Sequence, residues 1–174
     1  MSKKRLILVK INKIPINLDL HKYIKWINDK EVVEFSEQRL KKHTLISQKK
    51  YLKSKISSNS SIIFQINLEN NFIGMLELGN INLYHKTCEI MYVIGEKKLW
   101  KKNIGTLAVS LGIKYAKNKL KMFKIYAGTY SKNISSKKVL LKNKFRIVGT
   151  MKKDFLIDKK NNIRDDNIIF EKIL

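Results

Sequence analysis

The sequence has little cysteine, little proline and no long apolar run, and each shortage excludes a class of protein. Its one cysteine, Cys88, cannot form an intramolecular disulfide or a cysteine-cluster metal site, so no metal is expected. One proline among 174 residues, with a hydrophobic content of 44%, indicates a globular chain rather than a disordered one. No apolar stretch approaches the roughly 20 residues that cross a bilayer, so no membrane-spanning segment is expected.

The start of the chain also lacks the long apolar core of a signal peptide. Its basic residues are followed by only four apolar residues, Leu6–Val9, which fit a first strand better. We therefore expect a cytoplasmic protein.

Acidic residues are scarce as well: 37 Lys and Arg residues stand against 14 Asp and Glu residues, which gives a formal net charge of +23. Such a charge attracts polyanions, including nucleic acids and membrane surfaces. The lysines, however, are scattered through every predicted element, whereas a nucleic-acid groove needs basic residues on one face with interleaved aromatic residues. We interpret the charge mainly as a composition bias and do not expect nucleic acid as a partner, although part of the charge can serve a smaller polyanion.

The periodicity of the apolar residues predicts one mixed α/β domain over residues 1–174, with its sheet covered by helices. A turn is predicted around Pro15, Asp19 and Thr44 are expected to cap helices, and residues 31–39 to form a short helix or an irregular stretch. Helices are predicted at 20–27, 45–56, 104–118 and 135–144, and strands at 6–11, 61–67, 72–78, 87–94, 123–130, 146–156 and 167–174. The helix at 104–118 is expected to bury Ile104, Ala108, Leu111 and Tyr115.

The most informative stretch is Met91–Thr106, in which a central strand leads through a basic loop into a helix that begins at Ile104. The first turn of a helix presents about four unpaired N–H groups and the positive end of the helix dipole, which together favour a phosphate group. Gly105 allows a close approach to the backbone, and Lys101 and Lys102 add positive charge. The loop therefore predicts a phosphate site, although a solvated lysine-rich connection has the same composition.

Four short motifs occur in the order and spacing of one known family. Trp100–Gly105 reads WKKNIG, Trp26–Asp29 reads WIND, Asn133–Phe145 reads NISSKKVLLKNKF, and Asn161–Ile169 combines a polar turn with an Asp-led segment. Together they resemble the GNAT superfamily of N-acetyltransferases, in its ribosomal-protein N-terminal acetyltransferase (Rim-like) branch. The likeness extends over nearly the whole chain.

The chain departs from the family pattern at three positions that often carry glycine, which are occupied by Lys101, Asn103 and Lys144. Asparagine tolerates the left-handed backbone conformation better than most residues do. The loop is therefore expected to keep its shape at Asn103.

The resemblance implies a GNAT-like α/β (α+β) fold, with a mixed, mostly antiparallel sheet of about six to seven strands and about four helices. It also implies acetyl coenzyme A (acetyl-CoA) as co-substrate and a primary amine as acceptor. A bulge in the central strand would free N–H groups of Met91–Ile94 for the thioester carbonyl, and Asn133 would bind the pantetheine arm. The residues that the resemblance assigns to acetyl-CoA are Met91, Tyr92, Val93, Ile94, Trp100, Lys101, Lys102, Asn103, Ile104, Gly105, Thr106, Asn133, Ser136 and Lys138.

Attack on a thioester needs a neutral amine, whereas a lysine-like amine has a pKa of about 10. A carboxylate beside the thioester would remove the proton. The spacing that resembles the family favours Glu89 as this base, with Glu77 on the preceding strand as second choice. The tyrosine that protonates the leaving thiolate in many relatives corresponds to Leu140 here, so it would be replaced by Tyr130, Ser135, Ser136 or water.

The acceptor is not fixed by the sequence. Glu37 and Arg39 fall in the segment that lines the acceptor cleft in relatives, where they would bind a charged substrate group or form a surface ion pair. The favoured acceptors are an amino group on a nucleotide-linked sugar and the N-terminus of a protein. An acidic cleft would instead point to polyamines, whose positive charge the chain as a whole would repel. His43 is interpreted as a surface residue. A homodimer and a non-catalytic basic binding module on the same fold remain open.

Overall fold

The computed structural model describes residues 5–14 and 18–174, in which one seven-stranded sheet carries four α-helices. The turn predicted around Pro15 lies outside the described residues. The helices are α1 (Leu20–Ile27), α2 (Leu45–Ile56), α3 (Ile104–Asn118) and α4 (Ile134–Lys142). The strands are β1 (Leu6–Lys10), β2 (Ile62–Leu68), β3 (Asn71–Asn82), β4 (Thr87–Ile94), β5 (Lys124–Tyr130), β6 (Arg146–Asp158) and β7 (Ile163–Ile173).

Polar residues fix the starts of α1 and α2, as their positions in the sequence predict. The Asp19 carboxylate accepts a hydrogen bond from the N–H of Lys22 at 2.8 Å. Thr44 and Ser47 form a reciprocal capping box, which satisfies two N–H groups that the helix itself cannot pair.

The sheet has the order β1-β2-β3-β4-β5-β7-β6, and every neighbouring pair is antiparallel except β4 and β5. That parallel pair is joined only over Thr87 to Glu89, opposite Lys124 to Tyr126. Beyond this point the two strands separate. Residues 90–94 and 127–130 therefore face each other across a wedge in the middle of the sheet.

Helices cover both faces of the sheet, because alternate strand residues point to opposite sides. One buried cluster contains Leu76 and Ile90 together with residues of α3, and the other contains Met75 together with Trp26 of α1. A Cβ added at Gly112 would come within 2.9 Å of Ile90 and 3.0 Å of Leu76. Glycine at this position therefore lets α3 lie close against the strands that form the wedge.

Two strand boundaries and one buried face differ from the sequence prediction. β3 continues past Leu78 because its pairing with β4 extends through an irregularity after Gly79, and β7 begins at Ile163 rather than Asn167 because it pairs with the end of β6. In α3 the expected burial of Leu111 and Tyr115 is wrong, since both are half-buried. The helix turns its small residues toward the sheet instead, and its buried set is Ile104, Ala108, Val109, Gly112 and Ala116.

Seven mostly antiparallel strands and four helices confirm the predicted mixed α/β fold for the described residues. Across residues 5–14 and 18–174, no helix is both long enough and apolar enough to cross a membrane.

Candidate active site

The wedge between β4 and β5 opens into a cavity of about 910 Å³. Its walls come from both strands, from the first turn of α3, from α4 along its length, and from segment 31–38, which lies between α1 and α2. The charged residues that line it divide by sign. The cations are Lys101, Lys138 and Lys142, and the carboxylates are Glu31, Glu34, Glu37 and Glu77. The basic end is thus formed by α4 and the loop before α3, and the acidic end by β3 and segment 31–38.

At the basic end, α3 begins without a side-chain cap. Asn103, the residue before the helix, uses its side chain to accept a hydrogen bond from Lys142 at 2.7 Å. The first-turn N–H groups of Ile104, Gly105 and Thr106 therefore remain available at the cavity that these residues line. A helix start of this kind, with lysines nearby, binds phosphate groups.

Gly105 leaves room at this helix start. An added Cβ would meet Val139 at 3.4 Å and Tyr92 at 3.6 Å, which are ordinary van der Waals contacts. The packing of the protein therefore does not require glycine here. The space that its missing side chain leaves is available to a ligand.

The three family glycine positions that carry other residues all adopt the left-handed backbone. The angle φ is 60° at Lys101, 59° at Asn103 and 61° at Lys144. This conformation costs a residue with a Cβ about 1–2 kcal/mol. The loop keeps its shape without the glycines, as expected for Asn103.

The prediction of a bulge in β4 at Met91–Ile94 is wrong. The ladder between β3 and β4 runs without a register shift from Glu89 to Ile94, and its irregularity lies between Gly79 and Asn82. The wedge, rather than a bulge, leaves the edge of β4 unpaired.

Backbone N–H groups of β4 point into the wedge at alternate residues. The N–H of Gly95 donates to the Ile73 carbonyl on β3 at 3.0 Å. Because successive residues of a strand pair toward opposite edges, Tyr92 and Ile94 point the other way. The Ile94 carbonyl accepts from Trp100 Nε1 at 2.8 Å on that edge. Of the four predicted residues, Tyr92 and Ile94 are thus placed to offer an N–H donor.

The start of α4 supplies further polar groups to the cavity. Asn133 caps the helix by accepting the N–H of Ser136 at 3.0 Å, which leaves its Nδ2 as a donor. Tyr92 donates to the Ser136 hydroxyl at 3.2 Å, and burial raises the pKa of Tyr92 to about 12, so this phenol stays protonated at neutral pH. Leu140 is 1% exposed and belongs to the core.

At the acidic end, Glu77 lines the cavity and is 9% exposed. Its Oε1 accepts from Lys55 at 2.7 Å and from Ser61 at 2.8 Å, whereas among the described residues Oε2 accepts only from Tyr51 at 3.1 Å. Burial, with the neighbouring Glu77 carboxylate, raises the pKa of Tyr51. Oε2 therefore has one neutral donor and retains capacity for another hydrogen bond.

Glu89 lies at the closed end of the wedge, opposite Gly79 and Tyr126. It is not among the residues that line the cavity. Its carboxylate accepts from Asn80 at 2.7 Å. Burial raises the pKa of Glu89, and the Asn80 hydrogen bond partly opposes that shift. Of the two carboxylates predicted as base, the structure brings only Glu77 to the cavity.

The carboxylates of segment 31–38 outnumber their cationic partners. Glu31 shares Lys97 with Asp29, both at 2.8 Å. Glu37 pairs with Arg39 at 3.2 Å. Glu34 has no ion pair within the part of the chain that the structure describes. The segment therefore presents a surplus of negative charge to the cavity.

Tyr130, at the end of β5, joins segment 31–38 to the hairpin of β6 and β7. Its hydroxyl donates to Glu37 and accepts from Arg39 at 2.7 Å, and its ring stacks on Phe155 with centroids 3.8 Å apart. Arg39 also donates to the Leu156 carbonyl and does not line the cavity. Glu37 and Arg39 thus form the ion pair that was one of their two expected roles.

The structure brings together 13 of the 14 residues assigned to acetyl-CoA, since all except Lys102 line the cavity. The sequence analysis missed Tyr51 and Lys142, because their positions at the cavity depend on how α2 and α4 pack. The prediction that His43 is a surface residue is wrong, since His43 is 2% exposed. Within the described ranges, no group of three or more His, Cys, Asp or Glu side chains could hold a metal ion.

A parallel strand pair that separates beside an uncapped helix start forms a cleft suited to an extended, phosphate-bearing ligand, with a carboxylate across the wedge. The sequence model of the acetyltransferase (GNAT) domain family matches residues 5–146. The chain belongs to this family and is an N-acetyltransferase with acetyl-CoA as its co-substrate.

Solved structures of similar fold include three acetyltransferases. Spermidine N-acetyltransferase from Vibrio cholerae, in complex with CoA and spermine, is 18% identical with a TM-score of 0.81, covering 97% of this chain and 95% of its own. The microcin C7 self-immunity acetyltransferase MccE, in complex with acetyl-CoA and AMP, is 17% identical with a TM-score of 0.80, covering 99% of this chain and 94% of its own. RimL, a ribosomal L7/L12 alpha-N-protein acetyltransferase in complex with coenzyme A, is 15% identical with a TM-score of 0.83, covering 99% of this chain and 96% of its own. At these identities the likeness is one of fold.

Proposed function

We propose that this protein transfers the acetyl group of acetyl-CoA to a primary amine of a small polycation, of the polyamine class. The charge of the cavity carries the proposal. A chain with a net charge of +23 places four carboxylates among the cavity-lining residues of β3 and segment 31–38. Three of them pair with Lys97, Arg39 and Lys55, none of which lines the cavity, and the fourth, Glu34, has no ion pair among the described residues. These carboxylates attract a second positive charge on the acceptor, whereas they would repel the phosphates of a nucleotide-linked sugar.

The basic end suits the nucleotide part of acetyl-CoA, which supplies the activated acetyl group. The N–H groups of Gly105 and Thr106 would hold the diphosphate, with Lys138 and Lys142 nearby for phosphate charge. Asn133 Nδ2 would donate to the pantetheine arm. The N–H groups of β4 that face the wedge would stabilise negative charge on the thioester oxygen.

Glu77 is the residue best placed to accept the proton that the attacking amine must lose. Its Oε2 carries one neutral donor, so an ammonium group can pair with it and then transfer a proton to it. Lys55 and Ser61 hold Oε1 and so fix the orientation of the carboxylate. Glu89 has no comparable access to the cavity.

A substrate comparison tests the proposal. The purified protein is supplied with acetyl-CoA and, separately, with spermidine, n-butylamine, a nucleotide-linked amino sugar and an alanine-terminated peptide, and free thiol is measured. We expect kcat/KM for spermidine to exceed that for butylamine by roughly tenfold, and added salt to reduce the difference. Preference for the sugar or the peptide, or equal use of both amines, would overturn the polyamine assignment.

Calorimetry with acetyl-CoA separates the enzyme from a non-catalytic binding module on the same fold. Binding in the micromolar range, abolished by competing CoA, supports the enzyme. Salt-sensitive binding of nucleic acid without acetyl-CoA binding would support the module.

A further inference from the structure

His43 lies just before α2 and is buried, with both ring nitrogens in hydrogen bonds. Its Nε2 contacts the Gln38 carbonyl at 2.8 Å, and its Nδ1 contacts Gln48 Nε2 at 2.8 Å. Because a carbonyl oxygen only accepts, Nε2 must carry the proton, and Nδ1 accepts from the Gln48 amide. The ring is therefore held in one tautomer and one orientation.

The backbone of His43 is joined to the end of α1 by Asn28. The Asn28 side chain accepts from the His43 N–H and donates to the His43 carbonyl, both at 2.9 Å. This pair closes the loop of residues 29–42 at its base. The same histidine thus fixes the ends of the loop through its backbone and the middle of the loop through its ring.

Gln38, whose carbonyl accepts from the ring, lies between Glu37 and Arg39, which both form hydrogen bonds with the Tyr130 hydroxyl. Its N–H donates to the Ser36 hydroxyl at 3.2 Å, and its carbonyl accepts from His43. The peptide groups on both sides of Gln38 are therefore fixed. Their orientation determines where Glu37 and Arg39 meet the Tyr130 hydroxyl at the cavity wall.

We infer that His43 is a positioning residue for the acceptor amine, acting through Gln38. It holds segment 31–38 so that Glu34 and Glu37 face the cavity in a fixed arrangement. The inference rests on the proposed function, because it makes this segment the part that recognises the second charge of the acceptor. His43 itself does not line the cavity.

Two substitutions of similar size separate the two ring contacts. His43→Gln places an amide donor near the position of Nε2 and keeps the bond to the Gln38 carbonyl. His43→Asn reaches only toward Gln48 and loses that bond. We expect the KM for spermidine to rise about tenfold in His43→Asn, as for one lost buried hydrogen bond, with kcat and the acetyl-CoA Kd unchanged. His43→Gln should stay within about twofold of the wild type.

Hydrogen exchange gives a readout that does not depend on activity. Amide groups of residues 31–40 should exchange faster in His43→Asn than in His43→Gln, with the rest of the molecule unchanged. Ser36→Ala removes the hydroxyl that accepts from the Gln38 N–H and leaves the core intact. It should also speed the exchange of residues 31–40 and raise the KM for spermidine. If the wild type acetylates no amine, the proposed function fails, while the exchange data still decide the positioning role. Equal exchange in both His43 variants, or a loss confined to acetyl-CoA affinity, would overturn the inference.

Discussion

The two ends of the cavity differ in which groups form them and in how far apart those groups lie in the sequence. The basic end uses backbone N–H groups and Lys101 from one short stretch, residues 101–106, supplemented by Lys138 and Lys142 of α4. The acidic end uses side chains that are far apart in sequence: Tyr51 and Glu77 are separated by 26 residues, and Glu37 and Tyr130 by 93. The loop at the basic end keeps its left-handed backbone with Lys101 and Asn103 in place of glycine. The acidic end depends instead on each of its distant side chains.

The largest effect is expected at Glu77. Glu77→Gln keeps the size of the side chain but removes the proton acceptor, so kcat should fall by about 100-fold or more. The Kd for acetyl-CoA should stay unchanged, because we propose that the opposite end of the cavity binds it. The rate of thiol release at saturating substrate measures kcat, and calorimetry measures the Kd for acetyl-CoA. Glu89→Gln is the matched control and should retain turnover; if its turnover falls instead, Glu89 is the base and the placement of the acidic end is wrong.

A smaller effect should distinguish the two ends by ligand. Glu34→Gln removes a carboxylate without an ion pair and should raise the KM for spermidine by about threefold to tenfold, with acetyl-CoA binding unaffected. Lys138→Gln should instead weaken the binding of acetyl-CoA by a similar factor and leave the KM for spermidine unchanged. Steady-state kinetics with each substrate varied in turn would show the crossed pattern. Both variants affecting the same ligand would contradict the division of charge.

Glu89 gives a prediction about stability and pH. Burial raises its pKa in the folded protein, so the stability linked to its protonated form is present below the unfolded pKa and is lost as pH rises through the folded pKa. A neutral glutamine avoids this loss and can still accept from Asn80. Glu89→Gln should therefore melt above the wild type at pH 7, with the difference disappearing at low pH. A variant that melts lower at pH 7 would show that the carboxylate is favourable there.

The smallest effect concerns the replaced glycines. Lys144→Gly removes the strain of a left-handed residue and should raise stability by about 0.5–1 kcal/mol, which is about 1–4 °C in Tm. Lys142→Gly, at a helical position, should lower stability and serves as the control. An unchanged or lower Tm for Lys144→Gly would show that the left-handed backbone carries no strain there.

The sequence was a sufficient guide to the fold and to the basic end because both rest on local patterns. The 3.6-residue and 2-residue periods located the helices and strands, and WKKNIG located the helix start that we propose as the phosphate site. The acidic end was not predictable in the same way. Which of Glu77 and Glu89 reaches the cavity depends on where β5 leaves β4, and the burial of His43 depends on contacts with Asn28 and Gln48, neither of which leaves a periodic signal.

The most direct measurement is a crystal structure of the protein with coenzyme A. We predict the diphosphate within hydrogen-bond distance of the Gly105 and Thr106 N–H groups, and the pantetheine arm in the wedge with its sulfur toward the side of Glu77. A diphosphate held elsewhere by surface lysines, with the wedge left empty, would contradict the proposed binding site.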